Sequence, residues 1–199
     1  MLSIGLTGGI GSGKTYVAEI IKRNNNNIKI FDSDLYAKKI INNEKFVIKR
    51  IISIFGEKAY LDKKINSTFI SEQVFNNYKK LKKLNSIVHP FVIECYKKFK
   101  SRFKDEIIVT ESALLFETGM YKLNDINVLV TSPLKTRIKR ISLRDNTSVD
   151  NILKIIDSQW DDKKKISLAD FVIENNSKPG IDKKVKQLIT KIITQNEKN

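Results

Sequence analysis

The chain carries a single cysteine, Cys95, so no intrachain disulfide can form. A reducing compartment is expected, with Cys95 as a small buried helix residue. No apolar run approaches the ~18–20 residues that cross a bilayer. The N-terminus also lacks a basic stretch followed by an apolar one, so no membrane partner is expected and a cytoplasmic location is read. Only three prolines in 199 residues, against 41% hydrophobic content, exclude a disordered or proline-rich chain. Acidic residues are too few to balance the basic ones, leaving a net charge of +15. Arginine is scarce too: only six of the 37 basic residues. The excess is therefore lysine, scattered and accompanied by many Asn and Ile. That reads as a compositional bias on a solvated surface, and no nucleic-acid partner is expected.

Glycine is sparse overall and concentrated in one place. Of eight glycines, five fall within residues 5–13, in "GLTGGIGSGKT". Gly8-Gly9-Ile10-Gly11-Ser12-Gly13-Lys14-Thr15 fits G-x-x-x-x-G-K-[ST] at every fixed position, after a strand pattern and before a helical one. Successive amides of such a loop curl around a phosphate at a helix N-terminus. Lys14 then reaches the β and γ phosphates, and the Thr15 hydroxyl ligates Mg²⁺. ATP and Mg²⁺ are the expected cofactors. A dinucleotide-binding turn is the competitor, since Asp32 lies about 20 residues on. It fails because its third glycine would fall on Lys14 or Tyr16.

Short β-branched runs recur at 2–6, 28–31, 107–110, 126–130 and 171–174, with helical patterns between nearly all of them. Strands apolar on both faces alternating with helices predict a parallel sheet packed on either side: an α/β, three-layer P-loop NTPase core with five strands. Residues 35–103 show helical patterns and no convincing strand, predicting a helical insertion. The expected division is a core of 1–34 and 104–199, containing a lid at about 137–168, and the insertion at 35–103. Asn24 to Asn27 breaks the first helix. After Pro179–Gly180 an amphipathic helix is expected to pack Val185, Leu188, Ile189 and Ile192 on the sheet.

Asp32-Ser33-Asp34 closes the second strand. Ser33 can cap the next helix and Asp34 gains from its dipole, which leaves Asp32 for chemistry. A carboxylate at a strand's carboxyl end can accept a proton from an attacking hydroxyl or orient it and the metal. An alcohol acceptor follows, because a phosphate acceptor would call for arginines, and the insertion holds only Arg50 and Arg102. Arg137, Arg140 and Arg144, spaced i, i+3, i+7, share one helix face. They are either lid groups for the transferring phosphoryl or a solvated basic face. His89–Pro90 is read as a helix start, with Pro90 in the first turn.

"IGLTGGIGSGKT", "FDSD", "IVHPFV", "ESALLFETG", "RISLRD" and "SQW…K…LADFVIENN" together resemble, in order and spacing, the dephospho-CoA kinases, over roughly residues 3–177. The resemblance implies ATP-dependent phosphorylation of the ribose 3′-hydroxyl of dephospho-CoA, on a P-loop core with a CoA-binding helical domain and a lid. It places the nucleotide loop on Gly11, Ser12, Gly13, Lys14, Thr15 and Tyr16, and the catalytic aspartate on Asp32. The lid arginines fall on Arg140 and Arg144, and a contact near the adenine on Asn175. Acceptor contacts fall on His89, Leu115 and Lys165. The chain departs from the family's usual P-L-L-F-E at Ala113, and has Tyr16 where a small hydroxyl residue is usual. A monomer or weak homo-oligomer is expected. A shikimate-type metabolite kinase is the enzyme alternative, and an ATP-dependent nucleic-acid-binding protein the alternative from another class.

Overall fold

A computed structural model describes residues 1–25, 27–75, 77–104, 106–176 and 180–196. Pro179, Asn26 of the asparagine run and residue 177 of the family resemblance lie outside them. The chain divides into two compact units, Met1–Asp32 with Lys100–Asn199, and Ser33–Phe99.

The first unit is built on five parallel strands: β1 (Ser3–Thr7), β2 (Ile28–Asp32), β5 (Ile107–Glu111), β6 (Ile126–Thr131) and β7 (Phe171–Glu174), in the order β2-β5-β1-β6-β7. Every residue of β1 is buried, as its central place requires. Leu2, Ile4 and Leu6 face Val17, Ile20 and Ile21 of α1 (Lys14–Asn24) and Val185, Ile189 and Ile192 of α9 (Ile181–Asn196) in one core cluster. The opposite face of β1 carries Ser3, Gly5 and Thr7, and a Cβ at Gly5 would run into Leu115 and Asn127. α9 packs Val185, Ile189 and Ile192 into the core with the strands, as expected, and also lies alongside α1. The two helices close one apolar layer together, since neither stripe alone covers the strands beneath.

Three helices separate β6 from α9 in sequence along with β7: α6 (Leu134–Asp145), α7 (Val149–Asp157) and α8 (Asp162–Ile166). Ser148 caps α7 by accepting from Asn151 N–H, and Asp161 caps α8 by accepting from Lys164 N–H.

The second unit holds α2 (Ser33–Asn43), α3 (Lys45–Phe55), α4 (Ser67–Phe75) and most of α5 (Tyr78–Arg102). Ile40, Val47, Ile51, Phe55, Ile70, Val74, Val88, Val92 and Tyr96 are among its buried residues on helices. Two features differ from expectation. A two-stranded hairpin, β3 (Tyr60–Leu61) and β4 (Lys64–Ile65), interrupts the helices, turning through Asp62 and Lys63 at φ 49° and 63°. Two-residue strands are too short to alternate, and Asp-Lys lacks the glycine that usually marks such a turn.

His89–Pro90 does not begin a helix: Pro90 sits inside α5. The buried stripe of Val88, Val92 and Tyr96 runs past it on both sides, so packing carries the helix through. Pro90 and Ser86, whose carbonyl loses its intrahelical donor, are both exposed, leaving that carbonyl to water. Cys95, expected to be buried, is half-buried on the same helix.

Candidate active site

The glycine loop joins β1 to α1, and its shape follows from side chains that grip its carbonyls. Gly11 and Gly13 take φ of 77° and 92°, a region that L residues rarely adopt. A Cβ at Gly13 would also collide with the Asn175 amide. Arg137 Nε donates to Ile10 O at 2.8 Å. Arg140 Nη1 donates to Gly11 O at 3.3 Å and Ser12 O at 3.2 Å. Asn175 Nδ2 donates to the same Ser12 O at 2.9 Å. In a planar trans peptide the carbonyl and the following N–H point opposite ways. Holding Ile10 O and Ser12 O on one side therefore turns the amides of Gly11 and Gly13 to the other, the concave side of the loop. Ser12 N–H closes the turn onto Gly9 O at 3.0 Å. This is an anion cradle at a helix N-terminus.

Two acids stand at the carboxyl ends of adjacent strands. Asp32 ends β2 and pairs in register with Glu111, which ends β5. Glu111, buried, accepts from the Thr15 hydroxyl at 2.6 Å. Glu111 carries no motif of its own, yet an acid closing the apolar run "IIVTE" repeats the pattern "IKIFD" of β2. Thr15, Glu111 and Asp32 offer oxygen donors only, the set that suits Mg²⁺.

The remaining expected residues divide. Arg140 meets the loop as described and also donates to Asn175 O at 3.1 Å. Arg144, one turn on, is mostly exposed and forms a bidentate pair with Asp145 at 2.7 and 2.8 Å; the structure does not bring it to the loop. Hydrogen bonding to Asp145 holds its guanidinium above its ordinary pKa. Asn175, expected near adenine, is buried with its amide turned onto the loop. Tyr16 donates to Asp182 Oδ2 at 3.3 Å, tying α1 to α9.

Leu115 and Lys165, expected as acceptor contacts, are both fully buried in the first unit. Leu115 fills the space over Gly5. Lys165 Nζ lies 3.1 Å from Glu117 Oε1, which also accepts from Trp160 N–H at 3.0 Å. The lysine contact is ionic and misaligned for a hydrogen bond, so Lys165 Nζ has no hydrogen-bond partner among the described residues. The apolar run around Leu115 and the acid at Glu117 draw both side chains inward. His89, in the second unit, is half-buried on α5, and desolvation lowers its pKa below the ordinary value. Arg137, read from its spacing as either a lid group or part of a solvated basic face, is buried.

A phosphate-type loop after the central strand of a parallel sheet, tied through Thr15 to the acid ending the adjacent strand, defines the class: a P-loop phosphotransferase. The dephospho-CoA kinase family model matches residues 2–180. The chain belongs to the dephospho-CoA kinase family. It is 42% identical over 179 residues to a dephospho-CoA kinase of Fusobacterium nucleatum, covering 89% of this chain and 91% of the relative. A crystal structure from Thermus thermophilus superposes with TM-score 0.80 at 26% identity, covering 98% of this chain and 97% of the other. A dephospho-CoA kinase from Campylobacter jejuni superposes with TM-score 0.69 at 28% identity, covering 98% of each chain. Family membership disfavours the shikimate-type alternative.

Proposed function

We propose that this chain transfers the γ-phosphoryl group of ATP to the ribose 3′-hydroxyl of dephospho-CoA, yielding CoA and ADP. The observation that carries this reading is the loop whose outer carbonyls are held by Arg137, Arg140 and Asn175 while Asp32 and Glu111 stand side by side at neighbouring strand ends. The acceptor oxygen attacks the γ-phosphorus in line, the bond to the β,γ-bridging oxygen breaks, and Asp32 takes the hydroxyl proton. Lys14 and the amides of Gly11 and Gly13 hold the phosphate oxygens, with Ser12, Thr15 and Tyr16 completing the stretch. Thr15 and Glu111 would hold Mg²⁺, which when bound would neutralise phosphate charge.

Arg140 and Arg144 share one face of α6 and stabilise the charge that spreads over the transferring oxygens. An exposed pair such as Arg144–Asp145 contributes at most about 1 kcal/mol, so it yields readily to a phosphate. Asn175 acts on the adenine side through the loop it holds. His89, and the segments carrying Leu115 and Lys165, serve the acceptor, and 137–168 is the lid. The enzyme works in the cytoplasm as a monomer or weak homo-oligomer, without nucleic acid. Among the described residues no helix is long and apolar enough to cross a membrane.

The test is coupled ADP release by the purified protein, with dephospho-CoA and shikimate as separate acceptors. Turnover with dephospho-CoA alone is expected. Turnover only with shikimate, or ATP hydrolysis stimulated by nucleic acid at physiological salt, overturns the reading.

A further inference from the structure

The phosphate loop is held at its tip by residues outside its motif. Ile10 is gripped from both sides: its N–H donates to Gln159 Oε1 at 2.9 Å and its carbonyl accepts from Arg137 Nε at 2.8 Å. The Arg137 guanidinium occupies the space that a Cβ on Gly9 would need. Its Nη1 lies 3.6 Å from Asp162 Oδ2, at the start of α8. The Arg137 side chain is only 8% exposed. A guanidinium placed this deep is tolerated only with partners, and here they are one carboxylate and one backbone carbonyl.

We propose that Arg137 is a positioning residue: through the Ile10 carbonyl it orients the Gly11 amide for a nucleotide phosphate, with Asp162 as its counter-ion and Gln159 as the second hold on the same residue. This rests on the reading that the loop binds ATP. Arg137 adds two things that bear on nucleotide and not on acceptor. It presets an amide that ATP would otherwise have to order, and it places one positive charge against the backbone of the loop that would hold the phosphates. Gln159 and Asp162 flank Trp160, whose N–H donates to Glu117, so the stretch 159–162 also anchors the loop after β5.

The experiment uses the full chain and compares Arg137→Met, which keeps the length and loses every donor, with Arg137→Gln, which keeps a donor for Ile10 O. ADP dissociation constants by calorimetry, KM for ATP, KM for dephospho-CoA and Tm are measured for each. Arg137→Met is expected to weaken ADP about 10-fold, the scale of one charge-assisted hydrogen bond, and to raise KM for ATP in parallel. KM for dephospho-CoA is expected to stay within about two-fold, and Arg137→Gln to recover at least half of the lost affinity on a logarithmic scale. Unchanged ADP affinity in Arg137→Met, or equal rises in both KM values alongside a lower Tm, overturns the proposal and leaves Arg137 a packing residue. Should Arg137→Met fail to fold, Asp162→Asn decides: about three-fold weaker ADP binding supports the proposal, and wild-type binding overturns it. Failure of the wild-type chain to bind ADP would sink the underlying function as well, and so is told apart.

Discussion

The functional loop of the first unit and the helices of the second are held by different forces. In the first unit the functional loop is fixed by directional bonds: four side chains, Arg137, Arg140, Gln159 and Asn175, reach the backbone of three consecutive residues. In the unit Ser33–Phe99 the helices are held by apolar stripes, such as Val88, Val92 and Tyr96, and one of them runs through a proline. Directional bonds preserve a geometry to tenths of an ångström, which phosphoryl transfer needs. Apolar packing tolerates a missing hydrogen bond, which a binding scaffold can absorb.

The largest expected effect lies in the first unit. Asp32→Ala should lower kcat about 10²–10⁴-fold while ADP affinity stays near wild type, checked by steady-state kinetics and calorimetry. Near-normal turnover would remove the contrast at its root. Next come two of the three arginines of α6, Arg140 and Arg144. Arg140→Ala should cost about 10²-fold in kcat/KM for ATP, since it clamps Gly11 and Ser12 and, on the proposed mechanism, also meets the transferring phosphate. Arg144→Ala should cost about ten-fold with Tm unchanged, because its partner Asp145 is a surface pair.

The second unit should respond in stability instead. Pro90→Ala restores the donor to Ser86 O; about 3 kcal/mol of helix gain, less about 1 kcal/mol of unfolded-chain entropy, predicts about 2 kcal/mol. Thermal melting would then rise by roughly 4–8 °C, at the usual conversion for a chain of this size. A lower Tm would mean that the helix requires its proline.

The smallest effect is titration of His89. Burial lowers its folded pKa, so as pH falls through the ordinary histidine range of about 6.5 the unfolded chain binds more protons than the folded one. The stability that neutral His89 allows is therefore fully present above that range and lost below it. Between pH 7 and 5 the wild-type Tm should fall slightly further than that of His89→Gln. Parallel melting curves would place His89 in water.

Much of this could be read directly. The spacing of "GLTGGIGSGKT" specified loop, strand and helix together, because only glycine fits backbone that curls so tightly and only that curl presents consecutive amides. The five β-branched runs marked five buried parallel strands for a similarly local reason. Pro90 misled because a proline's effect depends on which face of a helix it occupies, and that is set by Val88, Val92 and Tyr96 finding their neighbours.

The sequence by itself determined the glycine loop after β1, the five buried strand segments and the acid ending β2, since each arises from residues adjacent in the chain whose backbone preferences leave few choices. Only the tertiary structure decided that Glu111 stands beside Asp32, that Lys165 turns inward to Glu117, and that Arg137 lies under the loop while Arg144 reaches solvent. Those are meetings of residues tens of positions apart. Their partners are chosen by sheet register and burial, which no local pattern of residue types encodes.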